Sequence, residues 1–180
     1  NTVRFERDCY NPQQQLVIDP GVVWSTYYGG GANDSFYDVV TDVSQNVLLC
    51  GQTASVNYPT ENAIQSFNSG FKDACIVKLD IDGRRVWATY YGGGGEDYAT
   101  SIDVMSNNTA DIAVAGMTMS SNFPVLNALQ SIYGGISDAF VLKLAPDGER
   151  IWATFFGGSS AETAHGVGIA NSGIVAFMGN

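Results

Sequence analysis

Three acids recur in one context: Asp34 after TYYGGGAN, Asp97 after TYYGGGGE and Glu162 after TFFGGSSA. A carboxylate placed at a turn can hold a cation such as calcium or a sugar hydroxyl, provided several oxygens converge. It can equally accept hydrogen bonds from the backbone N–H groups of its own turn, as Asp does readily. The second use is preferred here, because the spacing between successive copies of a repeated unit keeps such acids apart. Asp34, Asp97 and Glu162 remain the candidate ligand-binding residues.

Other chemistry-bearing patterns are weaker. Asp80-Ile81-Asp82-Gly83 resembles the start of a calcium loop, yet the twelfth position is Tyr91 rather than Glu, so a hairpin turn is expected. His165, the single histidine, has Ser159 and Ser160 nearby in sequence, but no G-x-S-x-G elbow accompanies it. A structural histidine is expected and no catalytic residue is assigned. Cys9, Cys50 and Cys75 form no CxxC pair, which excludes the usual zinc-ribbon and thioredoxin spacings. Cys50 and Cys75 fall on adjacent antiparallel strands, either as a disulfide or as buried free thiols. Asn33 and Asn107 open N-glycosylation sequons in expected turns. No metal ligand set and no cofactor is assigned, beyond the calcium alternative at the acidic turns.

Charge narrows the partners. The 180 residues carry 8 Lys and Arg against 18 Asp and Glu, a net charge of −10. A phosphate backbone needs a basic stripe, and the densest basic cluster is Arg84-Arg85, so nucleic acid is not an expected partner. No apolar run approaches the ~18 residues of a membrane span, so membrane insertion is not expected.

The elements that position these residues come from an internal repeat. Trp24, Trp87 and Trp152 are 63 and 65 residues apart. Residues 57–85 lie over 122–150 with 14 of 29 positions identical. A two-residue insertion near Asn107-Asn108 leaves both flanks in register and therefore belongs in a loop. Gly51, Gly116 and Gly179 then align, as do Asp73 with Asp138 and Lys78 with Lys143. Each period reads as four strands rich in Val, Ile, Phe, Tyr and Trp; in the second copy these are 99–105, 110–117, 138–144 and 149–156. Asp-Gly joins the last pair, since Gly accepts φ > 0 there.

Apolar residues occupy both alternations of the Trp strand, so each sheet is expected to be buried on both faces. Four-stranded units repeated and stacked in this way describe a β-propeller. The expected fold is all-β, about two and a half blades: a lead-in over 1–21, an outer strand over 22–28, and blades at approximately 36–91, 98–156 and, in part, 163–180. Trp24, Trp87, Trp152, Asp73, Asp138, Gly51, Gly116 and Gly179 are the expected structural repeat positions, with the two Asp hydrogen-bonding within or between blades. Lys78 and Lys143 are expected to lay their stems along the sheet.

GQTASVNYP with DACIVKL, and GMTMSSNFP with DAFVLKL, resemble the bacterial "seven-bladed β-propeller repeat" (SBBP) family over roughly residues 16 to 179. The resemblance implies surface or secreted proteins and names no activity. The leading functional expectation is a non-catalytic extracellular or cell-surface interaction module, part of a larger protein or assembly, whose partners are other chains or further parts of the same protein. The alternative is a glycan-binding propeller. That would need exposed aromatics: Tyr27, Tyr28, Tyr90 and Tyr91 are expected in the core, whereas Phe71 and Tyr133 are the candidates for exposure.

Overall fold

A computed structural model describes residues 24–180. Cys9 and the lead-in over 1–21 lie outside the described residues. Ten strands and no helix occur among the described residues, in three antiparallel sheets. The first contains β1 (Asp34–Thr41), β2 (Val47–Thr53), β3 (Asp73–Leu79) and β4 (Arg85–Tyr91), adjacent in chain order. The second repeats this with β5 (Asp97–Val104), β6 (Ile112–Thr118), β7 (Asp138–Leu144) and β8 (Arg150–Phe156). β9 (Ala164–Ile169) and β10 (Val175–Gly179) form the third, and no sheet closes into a barrel.

The strand assignment follows from residue type. β3 (DACIVKL) is buried at every position and β7 (DAFVLKL) at all but one, as β-branched and aromatic runs between two faces require. The Asn107-Asn108 insertion lies in the turn between β5 and β6. Gly83 and Gly148 sit in the Asp-Gly turns at φ 78° and 92°, a region that a Cβ disfavours. At Gly116 a Cβ would come 1.8 Å from the Tyr98 carbonyl oxygen; Gly51 and Gly179 face the same approach from Ser35 and Thr163. That contact explains why the three glycines align.

One expectation fails. Residues 24–28 are not a strand, because no neighbouring strand among the described residues offers them a hydrogen-bonding edge. Tyr27 is consequently fully exposed rather than part of the core, whereas Tyr90 and Tyr91 are buried and Tyr28 is half-buried.

The sheets are joined by a duplicated set of contacts. Trp87 Nε1 donates to the Pro146 carbonyl at 3.0 Å, and the Tyr91 hydroxyl donates to the Pro124 carbonyl. Arg150 Nη1 reaches the same Pro124 carbonyl at 2.7 Å and the Tyr91 oxygen at 2.9 Å. Residues 24–28 dock on the first sheet in the same manner. Trp24 Nε1 donates to the Ile81 carbonyl at 2.8 Å, and the Tyr28 hydroxyl to the Pro59 carbonyl at 2.5 Å. Arg85 Nη1 donates to that Pro59 carbonyl at 3.1 Å. Each indole lies over the turn glycine of the sheet it meets: a Cβ on Gly148 would come 3.1 Å from the Trp87 ring, and on Gly83 2.9 Å from the Trp24 ring.

Between the first and second sheets, Leu48, Ile76, Trp87 and Tyr91 pack against Ile112, Val114, Phe123 and Phe140. The first strands of the three sheets, β1, β5 and β9, are stitched as well. Asp38 accepts from the Ile102 N–H at 2.9 Å, and the equivalent Ser101 accepts from the Val167 N–H at 3.3 Å.

Trp87 is 1% exposed, whereas its repeat Trp152 is only partly covered. Trp87→Ala is expected to destabilise the chain by about 3–5 kcal/mol. Trp152→Ala should cost about 1 kcal/mol. Urea unfolding of both variants against wild type checks the difference.

Candidate functional site

The repeated acids sit where one sheet hands the chain to the next. Asp97 is fully buried at the head of β5. Its Oδ2 accepts from the Gly93 N–H at 2.8 Å and from Ser120 Oγ at 2.9 Å, and Oδ1 accepts from Thr118 Oγ1. Asp34 repeats the arrangement with Gly30 at 2.7 Å, Ser55 at 2.9 Å and Thr53. Glu162 retains only the backbone donor, Gly158 N–H at 3.0 Å. Each acid thus closes its own glycine turn, and the hydroxyl donors come from the end of the neighbouring strand. Among the described residues no group of three or more His, Cys, Asp or Glu converges, so Asp34, Asp97 and Glu162 are not brought together.

A second carboxylate stands beside two of them. A Cβ on Gly92 would lie 2.5 Å from Asp97 Oδ2 and 2.8 Å from Asp73 Cγ; Gly157 is flanked likewise by Glu162 and Asp138. Asp73 Oδ2 accepts from Gln65 Nε2 at 2.6 Å and from the Ser69 N–H at 2.9 Å, while buried Oδ1 has no partner. Burial, together with the neighbouring Asp97 charge, raises the Asp73 carboxyl to about 6. Burial also raises Asp97, against the lowering effect of its Thr118, Gly93 and Ser120 hydrogen bonds. Asp138 accepts from Gln130 Nε2 at 3.1 Å and from the Gly134 and Gly135 N–H groups at 3.0 and 3.1 Å. Both aspartates thereby tie the β2–β3 or β6–β7 connection to the start of the following strand.

The lysines depart from expectation. Lys78 buries its ammonium as well as its stem, pairing with Asp42 at 3.0 Å and donating to the Pro146 carbonyl at 3.3 Å. Burial alone would raise Asp42, but hydrogen bonds from Asn46 and Lys78 outweigh it and hold the carboxyl below its ordinary value. Lys143 pairs with Asp111 at 2.8 Å. Asp42 and Asp111 carry no local signal; only their position across the strand from a repeat-locked Lys could have found them.

No protein-family model and no curated protein matches this chain.

The remaining candidates resolve individually. His165 is exposed, and its Nε2 lies 2.9 Å from Asn180 Oδ1 rather than beside a serine hydroxyl. Asp80 Oδ1 accepts from the Asp82 and Arg84 N–H groups at 3.0 and 2.8 Å, closing a hairpin turn. Cys50 and Cys75 are free thiols. Cys75 stands opposite Gly51 and Cys50 opposite Ile76, one rung apart. Alternation then sends them to opposite faces, Cys50 toward the second sheet and Cys75 toward Tyr58 and Tyr90, so the disulfide alternative is set aside. Burial pushes the Cys75 thiol up to about 12. Asn33 is exposed, whereas the Asn107 amide is engaged with Thr109, Ala110 and the Asn171 carbonyl. Phe71 is exposed as expected, but Tyr133 packs edge-on against Phe155.

One concave feature was not anticipated. An open cleft of about 740 Å³ separates the β2–β3 connection from the second sheet, lined by Gln65, Ser66, Phe67, Asn122, Leu126 and Arg150, among others.

Asp73 yields a pH prediction. Its folded value of about 6 exceeds the ordinary carboxylate value of 3.8. The folded state therefore binds more protons between those values, and the contribution is complete below 3.8 and lost as pH rises through 6. Unfolding free energy of wild type minus that of Asp73→Asn should fall between pH 4 and pH 6.5, as read by urea titration. A flat difference would contradict the assignment. Asp97→Asn, which leaves an NH₂ among three donors, should cost about 1–3 kcal/mol at neutral pH.

Proposed function

We propose that the chain is a non-catalytic extracellular or cell-surface interaction module, built of β-propeller repeats of the SBBP kind and working within a larger assembly. The observation that carries this reading is the unequal cover on two equivalent faces. Trp87 and Tyr91 are each 1% exposed beneath the second sheet. Trp152 and Phe156 occupy the same positions one repeat later, and Phe156 is 51% exposed. Among the described residues only β9 and β10 approach that face, with Phe177 packing edge-on against Phe156 at 5.0 Å. An apolar cleft of about 350 Å³ lined by Trp152, Phe156, Val175 and Phe177 remains, and Met178 is 70% exposed.

Contiguous apolar surface of this kind marks an interaction site. The covered repeat indicates what fits there: an outer strand pair with turn carbonyls placed to accept from the Trp152 indole, as Pro146 accepts from Trp87. Engagement of the repeated carboxylates by turn and hydroxyl donors supports a structural use for the residues the repeats share. Low charge and high glycine and aromatic content are consistent with an extracellular setting.

Sedimentation velocity of the 180-residue chain tests the reading. Concentration-dependent association is expected, and it should weaken in the Phe156→Ser, Met178→Ser double variant. A monodisperse, cooperatively unfolding monomer across the same range would refute it.

A further inference from the structure

The two repeats treat one arginine differently. In the first, Arg85 uses Nη1 for the Pro59 carbonyl at 3.1 Å and Nη2 for Glu61 Oε2 at 3.1 Å. In the second, Arg150 uses Nη1 for the Pro124 carbonyl and the Tyr91 oxygen. Leu126 occupies the position of Glu61. The equivalence is structural as well as sequential, since Glu61 pairs with Ala88 and Leu126 with the corresponding Ala153 in the same isolated antiparallel bridge. No ion pair forms at Arg150 among the described residues, and its Nε is buried without a partner.

Arg150 and Leu126 both line the 740 Å³ cleft between the sheets. That volume falls within the range of about 300–1,000 Å³ usual for small-molecule sites. Its walls offer the Ser66 hydroxyl and the Asn122 amide; Asn122 uses only its Oδ1, for the Gly94 N–H. Phe67, 64% exposed, supplies an apolar ring face at the rim.

We infer that this cleft binds an acidic saccharide, whose carboxylate takes on Arg150 the place that Glu61 holds on Arg85. The Glu61 carboxylate is the stand-in that shows the geometry. Arg150 Nη2, which has no partner among the described residues, can meet a carboxylate oxygen as Arg85 Nη2 meets Glu61, and charge-assisted hydrogen bonds of this type are about twice as strong as neutral ones. Ser66 and Asn122 suit ring hydroxyls, and the Phe67 face suits the apolar side of a pyranose. The exposed Glu149 carboxylate also lines the cleft and opposes the anion, so binding depends on direct contact with Arg150 rather than on the local field. This inference does not rest on the scaffold reading and survives its failure.

The test is calorimetric titration of the 180-residue chain with trigalacturonate and with neutral galactotriose. Binding of the first and no measurable binding of the second is expected. Arg150→Gln disturbs the sheet contact itself, so the decisive variant is Leu126→Glu, which keeps the arginine and installs the pair already present in the first repeat. Its melting temperature should match or exceed wild type, while trigalacturonate affinity falls about tenfold or more, the scale of a lost charged hydrogen bond. No heat with trigalacturonate, equal binding of the neutral sugar, or undiminished affinity in folded Leu126→Glu would overturn the proposal. Tighter binding of a tripeptide with a free C-terminal carboxylate would overturn it in favour of a peptide site.

Discussion

The second sheet is fastened to the first through one contact, an indole N–H and a tyrosine hydroxyl that donate to two carbonyls of the sheet they meet, and residues 24–28 meet the first sheet in the same way. Trp87 and Tyr91 make it to Pro146 and Pro124, and Trp24 and Tyr28 to Ile81 and Pro59. The carbonyls belong to connections outside the strand ladders, and the contact pairs backbone acceptors that Arg150, Lys78 and Arg85 share at Pro124, Pro146 and Pro59. It also bears on the glycines: the indole covers the Asp-Gly turn closely enough that a Cβ would crowd its ring, at 2.9 Å on Gly83 and 3.1 Å on Gly148. The recurring Trp-x-x-Tyr-Tyr-Gly-Gly string is the record of that constraint. Its third occurrence ends in Phe-Phe, so Phe156 keeps the apolar half of the contact and lacks the hydroxyl.

Once this contact is seen, the acidic turns acquire their role. The chain must leave β4 and enter β5 of the adjacent sheet within a few residues, and that passage exposes backbone donors. Asp97 gathers the Gly93 N–H and the Thr118 and Ser120 hydroxyls, and Asp73 gathers Gln65 and Ser69 on the other side of Gly92. Burial raises the Asp73 carboxyl, and the Asp97 carboxylate on the other side of the same glycine adds to the rise. A buried ion pair, Lys78 with Asp42, adds a further polar contact between strands and a carbonyl of the second sheet. The desolvation of both groups offsets much of the Coulombic gain of such a pair.

Much of this was legible in the sequence, because it is written in residue types that repeat. The strands, the Asp-Gly hairpins, the insertion loop and the two-sided burial of DACIVKL and DAFVLKL all follow from local pattern. Contacts whose partners change type from copy to copy were not legible. Asp38 and Ser101 perform one task with different side chains, and neither aligns as an identity. Asp42 pairs with Lys78, whereas Lys143 is served by Asp111 from a different position. The exchange of Glu61 for Leu126 reads in sequence as ordinary divergence; only the shared bridge to Ala88 and Ala153 gives it chemical meaning. The strand expected over 22–28 is absent from its described part, 24–28, for the converse reason, since a strand requires a neighbour that local pattern does not supply.

The central claim is that the interlocking contact makes the first two sheets one cooperative unit. Native-state hydrogen exchange measures it most directly, through the opening free energies of amides in β2 and β3 against those in β6 and β7. The account predicts a common value for both sets in wild type, and separation into two values in Trp87→Phe, where the ring remains but the indole N–H is gone. Independent opening of the two sheets in the wild-type chain, or identical coupling in Trp87→Phe, would contradict it.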